Sequence, residues 1–161
     1  VRRIDYLIFH ISVSDCGDAD EIRRWHIDGN GWDDIGYHWV ILNPYKDQDS
    51  FVNKRPVILD DGRIESGRPF NTPGAHVAGY NWNSIGICFV GKGMVTGRQL
   101  ISAKNLMFSL LQKGIITPDT KVMGHYEIDE HKTCPDIDAD ILREMFRQAC
   151  DVHNLIANKT S

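Results

Sequence analysis

The chain has 161 residues, 42% of them apolar and 25% charged, which is enough for one ordinary globular core without covalent staples. Its formal net charge of −4 offers no basic footprint for nucleic acid, and no apolar stretch approaches the roughly 20 residues of a membrane-spanning helix. Four widely spaced cysteines (Cys16, Cys88, Cys134, Cys150) make no CxxC pair, which excludes a dense disulfide scaffold and points to a reduced, intracellular chain.

The opening VRRIDYLIF enters an apolar run with no signal-peptide cleavage pattern. YLIFHISV (6–13) is short, apolar and β-branched, as a buried strand is. Asp18 heads DADEIRRWHIDGNG, with acids in the first turn and Gly29 beyond the end, so a helix is expected with Ile22, Trp25 and His26 on its inner face. GYHWVILNP (36–44) reads as a second strand, stopped by Asn43-Pro44. The polar YKDQDSFVNKRP (45–56) reads as a surface hairpin or loop. In VILDDGRIESGRP, Asp61-Gly62 marks a turn between two short strands. NSIGICFVG (83–91) is another apolar strand, and TGRQLISAKNLMFSLLQKG (96–114) an amphipathic helix ending at Gly114. KVMGH (121–125) is a short strand, and DIDADILREMFRQACDVHNLI (136–156) a helix with acids at its start. No linker or repeat divides the chain. Residues 1–161 are expected as a single α/β domain, a mixed central sheet flanked by about three helices.

The stretch GHYEIDEHKTCP (124–135) places His125, Glu127, Asp129, Glu130, His131, Lys132 and Cys134 in one irregular, Pro-ended loop. His and Cys are the preferred ligands of zinc. Far upstream, His10 ends the first apolar run. Neighbouring strands that bring His10, His125 and Cys134 to one edge would leave a fourth coordination position open, the arrangement of a catalytic zinc. From composition and spacing alone, that site and ordinary packing roles weigh about equally. Cys88, in SIGICFVG, reads as a small buried hydrophobe, Cys150 as structural, and Cys16 as exposed after a turn.

IFHIS, IGYHW, AHVAGYNWNSIGICFVG, GHYEI and HKTCPD resemble the zinc N-acetylmuramoyl-L-alanine amidases of the phage T7 lysozyme type, a family that also includes the peptidoglycan recognition proteins of animals. The resemblance runs in order from about residue 5 to residue 147. It implies hydrolysis of the amide between N-acetylmuramic acid and L-alanine in peptidoglycan, with one catalytic zinc ion held by His10, His125 and Cys134. It implies Tyr37 beside the attacking water and Lys132 facing the scissile carbonyl as catalytic residues. His76 matches a histidine of the substrate groove, with Asn81 and Trp82 following as further substrate-binding candidates. His38 is expected on the other face of its strand, in the core or supporting the site, and Glu127 and Asp129 as loop hydrogen-bonders, with Glu127 also a candidate partner of a ligand histidine. His26 and His153 carry no signal.

Relatives that only bind often lack the cysteine ligand, so Cys134 favours catalysis over the alternative of a non-catalytic muropeptide-binding module. A structural zinc domain is a third reading, disfavoured by the open position. The expected partner is peptidoglycan or a muropeptide. The protein is expected to be a monomer and endolysin-like, cytoplasmic until released to the cell wall. The stretch NPYKDQDSFVNKRPVILDD is longer than the compact hairpin of the T7-type enzymes and is a candidate wall of the groove.

Overall fold

The computed structural model describes residues 1–159; the last two positions of the expected 1–161 span lie outside the described residues. Tyr6–Ile11 form β1, Trp39–Ile41 β2, Ile64–Ser66 β3, Ser84–Phe89 β4 and Lys121–Gly124 β5. They join in one sheet in the order β3-β2-β4-β1-β5. β1 lies parallel to β4 on one side and β5 on the other, β2 is parallel to β4, and β2–β3 is the antiparallel pair.

Alternation along β1 divides the molecule into two layers. Leu7, Phe9 and Ile11 join Ile85, Ile87, Phe89 and Val122 in a core that includes Met107 and Leu110 of helix α3 (Gly97–Gln112) and Leu142 and Phe146 of helix α4 (Ala139–Lys159). A smaller core on the opposite face gathers Ile35, Val40, Leu42 and Val90 with Ala19 and Ile22 of helix α1 (Ala19–Arg24). The period of two therefore places His10 on the face away from α3 and α4.

Local signals set the helix starts. The Asp18 side chain accepts from the Glu21 amide at 2.8 Å and caps α1. Thr96 and Gln99 form a capping box at the head of α3. The Gln99 amide group, fully buried, also donates to the Ile41 and Val90 carbonyls at 2.9 and 2.8 Å, so the same residue ties α3 to the ends of β2 and β4.

Four expectations need correction. Residues 45–56 form no hairpin: Asp47 and Ser50 make a capping box, and Gln48–Val52 form helix α2, so there are four α-helices among the described residues. Only one strand flanks Asp61-Gly62, because Ile58–Asp60 form a 3₁₀ turn with no strand beside it, leaving Ile58 and Leu59 exposed. The helix begun by α1 widens into a π turn over Trp25–Gly29. There the three-residue spacing no longer returns Trp25 to the face of Ile22, and Trp25 is exposed. β2 starts at Trp39, so Tyr37 and His38 precede the strand. All four cysteines are free, and no helix among the described residues is long and apolar enough to cross a membrane.

Candidate functional site

His10 is the penultimate residue of β1, 2% exposed, in register with Cys88 of β4. On its other side β5 ends at Gly124, and the chain tightens into a 3₁₀ turn over His125–Glu127. That turn sets the His125 ring 4.7 Å from the His10 ring, centroid to centroid. Cys134 is returned to the same place by two bonds: the Tyr126 amide donates to its carbonyl at 3.0 Å, and the Ile11 amide donates to its Sγ at 3.1 Å. The ligand atoms of His10, His125 and Cys134 all lie within 4.8 Å of one another. A tetrahedral zinc site holds such atoms about 3.5 Å apart, so small side-chain movements close the set.

The charges suit a cation. Burial, with His76, His125 and His26 nearby, holds the His10 pKa well below its ordinary value. Burial and then the Lys132 charge lower that of His125. Both rings are therefore neutral at neutral pH, which is the form that binds metal. Burial pushes the Cys134 thiol up to about 11, against the pull of the Ile11 amide. It keeps its proton until a cation arrives, and a coordinated thiol is then deprotonated outright.

Glu127 is the loop hydrogen-bonder that the sequence implies, and its secondary reading, a bond to a ligand histidine, is not what its contacts show. Instead it holds the turn that carries His125: its Oε2 accepts from the Gly124 amide at 2.9 Å, and Arg143 of α4 grips both carboxylate oxygens at 2.9 and 3.0 Å. Asp129 is a loop residue, accepting from the His131 amide at 3.0 Å.

Tyr37 packs its ring 5.0 Å from that of His10. Burial, then the nearness of Cys88 and Cys134, raises its pKa well above the ordinary phenol value. Cys88 is the buried residue the sequence implies, its thiol turned to the Phe89 carbonyl at 3.4 Å. Lys132 is exposed on the loop, close enough to His125 to depress its pKa, and lines an open cleft with Gly93, Thr133 and Asp136.

The three substrate-binding candidates separate. His76 has both ring nitrogens engaged, with His10 Nε2 at 2.9 Å and Ser84 Oγ at 3.1 Å. The Asn81 side-chain oxygen accepts from the His76 and Val77 amides at 2.8 and 3.0 Å, fixing the loop rather than facing a groove. Trp82 is 73% exposed. It precedes β4, whereas His10 stands near the far end of β1.

His38 is buried, as a supporting role requires. Its Nδ1 accepts from the Gly86 amide at 3.0 Å, so the proton sits on Nε2 and is donated to the Thr72 carbonyl at 2.9 Å. His26 was missed. Its ring lies 5.3 Å from Tyr37 and 4.8 Å from Trp32, and its Nδ1 accepts from the Gly36 amide at 2.9 Å. The one sequence signal for it was its four-residue spacing from buried Ile22.

Comparison with known proteins gives a consistent set. Residues 1–137 match the N-acetylmuramoyl-L-alanine amidase family. The chain is similar to the endolysin of Escherichia phage T7, 36% identical over 126 residues, covering 73% of this chain and 69% of that protein. Among solved structures it resembles the N-acetylmuramoyl-L-alanine amidase LysC from Clostridium intestinale, with a TM-score of 0.69 and 25% identity over 89% of this chain and 86% of that one. It is also similar to a variant of Drosophila PGRP-LB in complex with tracheal cytotoxin, with a TM-score of 0.67 and 28% identity over 84% of this chain and 76% of that one.

Proposed function

The chain belongs to the N-acetylmuramoyl-L-alanine amidase family, and from that premise we propose that His10, His125 and Cys134 hold one catalytic zinc ion, served by Tyr37 and Lys132. The protein is a peptidoglycan amidase that cleaves the bond between N-acetylmuramic acid and L-alanine. The observation that carries the zinc reading is the clustering of three ligand atoms of the right chemistry within 4.8 Å. Three protein ligands leave a position for water or substrate, whereas structural zinc sites close with four.

A zinc ion there supplies a Lewis acid, acidifying water and polarising an amide carbonyl. The remaining work belongs to side chains. Lys132, exposed at the cleft, brings positive charge to the oxygen that becomes negative as the amide carbonyl is attacked. A phenol, with an ordinary pKa of about 10, keeps its proton at neutral pH, so Tyr37 orients water through its hydroxyl rather than acting as a base. Similarity to phage endolysins supports lysis of the cell wall as the setting.

The test is to incubate the protein with purified cell walls, untreated, chelated and zinc-restored, and to identify the new ends. Free L-alanine amino termini that vanish with chelator and return with zinc are expected. Sugar reducing ends would mean a glycosidase. Wall binding with no new ends would favour the muropeptide-binding module, a reading motivated by the relative held in complex with tracheal cytotoxin.

A further inference from the structure

We propose that His76 and Ser84 are positioning residues that fix the proton and the orientation of the His10 ring, and so set how tightly the site holds its metal. The inference rests on the zinc reading above and assigns His76 a role other than substrate contact.

The geometry is a linear relay. His10 Nε2 faces His76 Nδ1 at 2.9 Å, and His76 Nε2 faces Ser84 Oγ at 3.1 Å. The two rings stand nearly perpendicular, 87° apart. Because Nε2 is spent on His76, Nδ1 is the nitrogen of His10 left for a metal. A neutral imidazole has one N–H and one lone pair, so the relay has two proton arrangements. In one, His10 Nε2–H donates to His76 Nδ1 and His76 Nε2–H donates to Ser84 Oγ, leaving a lone pair on His10 Nδ1. In the other, Ser84 donates to His76, His76 Nδ1–H donates to His10, and the His10 proton sits on Nδ1, where it blocks coordination. Only the first arrangement binds metal, and it needs an acceptor at each step.

Two glycines make room for the His76 ring. A Cβ at Gly74 or Gly86 would stand 2.5 or 2.7 Å from its ring, so the imidazole occupies the space that those two residues leave open. Asn81 clamps the His76 backbone through its amide. Ser84 is wholly buried at the start of β4. Partners that hold the non-ligating nitrogen of a metal-bound histidine fix its tautomer and commonly change metal affinity when removed.

The experiment measures zinc affinity by chelator competition, and the absorption spectrum of the cobalt-substituted protein, for the unmodified chain and for His76→Ala, His76→Asn and Ser84→Ala. His76→Ala should weaken zinc binding about 10–100-fold and shift the cobalt bands. Ser84→Ala should weaken it less, in the same direction. His76→Asn, whose Oδ1 can accept where Nδ1 did, should restore most of the affinity; a purely structural role for His76 predicts no such rescue. If His76→Ala does not fold, Ser84→Ala and His76→Asn decide. Unchanged affinity and spectra in the folded variants overturn the relay while leaving the zinc site standing. Failure of the unmodified chain to bind zinc overturns both.

Discussion

The Tyr126 amide donates to the Cys134 carbonyl across 3.0 Å, closing the loop between the second and third candidate ligands with a backbone bond. His125 and Cys134 are thereby set relative to each other by main chain rather than by side-chain preference. The Ile11 amide, at 3.1 Å from Cys134 Sγ, then docks that closed loop against β1 beside His10.

The clamp behind the loop can be tested through Arg143. It grips Glu127 with two bonds and also donates to the Val122 carbonyl at 3.1 Å. The pair is partly exposed, so Arg143→Ala is expected to cost only about 1–2 kcal/mol in urea unfolding. It should also weaken zinc binding, because the His125 turn loses its anchor. An unshifted urea midpoint would mean that the turn holds its shape unaided.

Tyr37→Phe and Lys132→Ala should each keep a full complement of zinc by elemental analysis. Turnover on cell walls should fall about 100–1,000-fold for Lys132→Ala, as for other lost oxyanion donors, and at least about 100-fold for Tyr37→Phe. Near wild-type rates in both would reject these roles. Cys134→Ser should instead lose the metal itself, so that added chelator changes nothing further.

Gln99→Ala takes away the side-chain donor that the Ile41 and Val90 carbonyls share; Ile41 keeps the Val90 amide at 2.9 Å, so Val90 is the carbonyl that loses most. A loss of about 1–3 kcal/mol is expected in denaturant unfolding, the cost of one unsatisfied buried acceptor. Zinc affinity of the folded fraction should not move, because Gln99 touches no ligand.

Acid should destabilise the fold through His38. Burial takes its pKa down from 6.5 to about 4, against its bond to Thr72. The folded value lies below the unfolded one, so its contribution is full above pH 6.5 and is lost as pH falls towards 4. The shift corresponds to about 3 kcal/mol. Replacing His38 with Gln should make the fall in melting temperature over that window shallower, the remaining slope belonging to His10, His76 and His125, whose pKa values burial also lowers. An equally steep decline in the variant would assign the effect to other groups.

What could be read from the residues follows the range of the forces involved. His10, His125 and Cys134 carry their chemistry in their identity, and the apolar runs before the two histidines mark strand ends, so they were legible as candidates, though composition and spacing weighed the site evenly against packing roles. Tyr37 and Lys132 came only from resemblance, since a tyrosine at a strand start and a loop lysine have no distinguishing pattern. The helix at Gln48–Val52 went unread because its signal, the Asp47–Ser50 cap, sits in a polar run that also suits a loop. The engagement of His76 was invisible for a different reason: its partner His10 lies 66 residues away and no local rule pairs them.

Placing His10 on an interior strand also governs when activity can appear. β1 is completed only when β4 and β5 dock on either side of it, and the bond from Ile11 to Cys134 spans 123 residues of chain. Such distant pairings form late and slowly. A half-assembled chain therefore lacks the candidate site altogether, and on the zinc reading metal occupancy becomes a gauge of completed folding. Release of β5, an edge strand, would remove two candidate ligands at once. A bound ion that favours only the finished state should act mainly as a brake on unfolding, lengthening the protein's lifetime without hastening its birth.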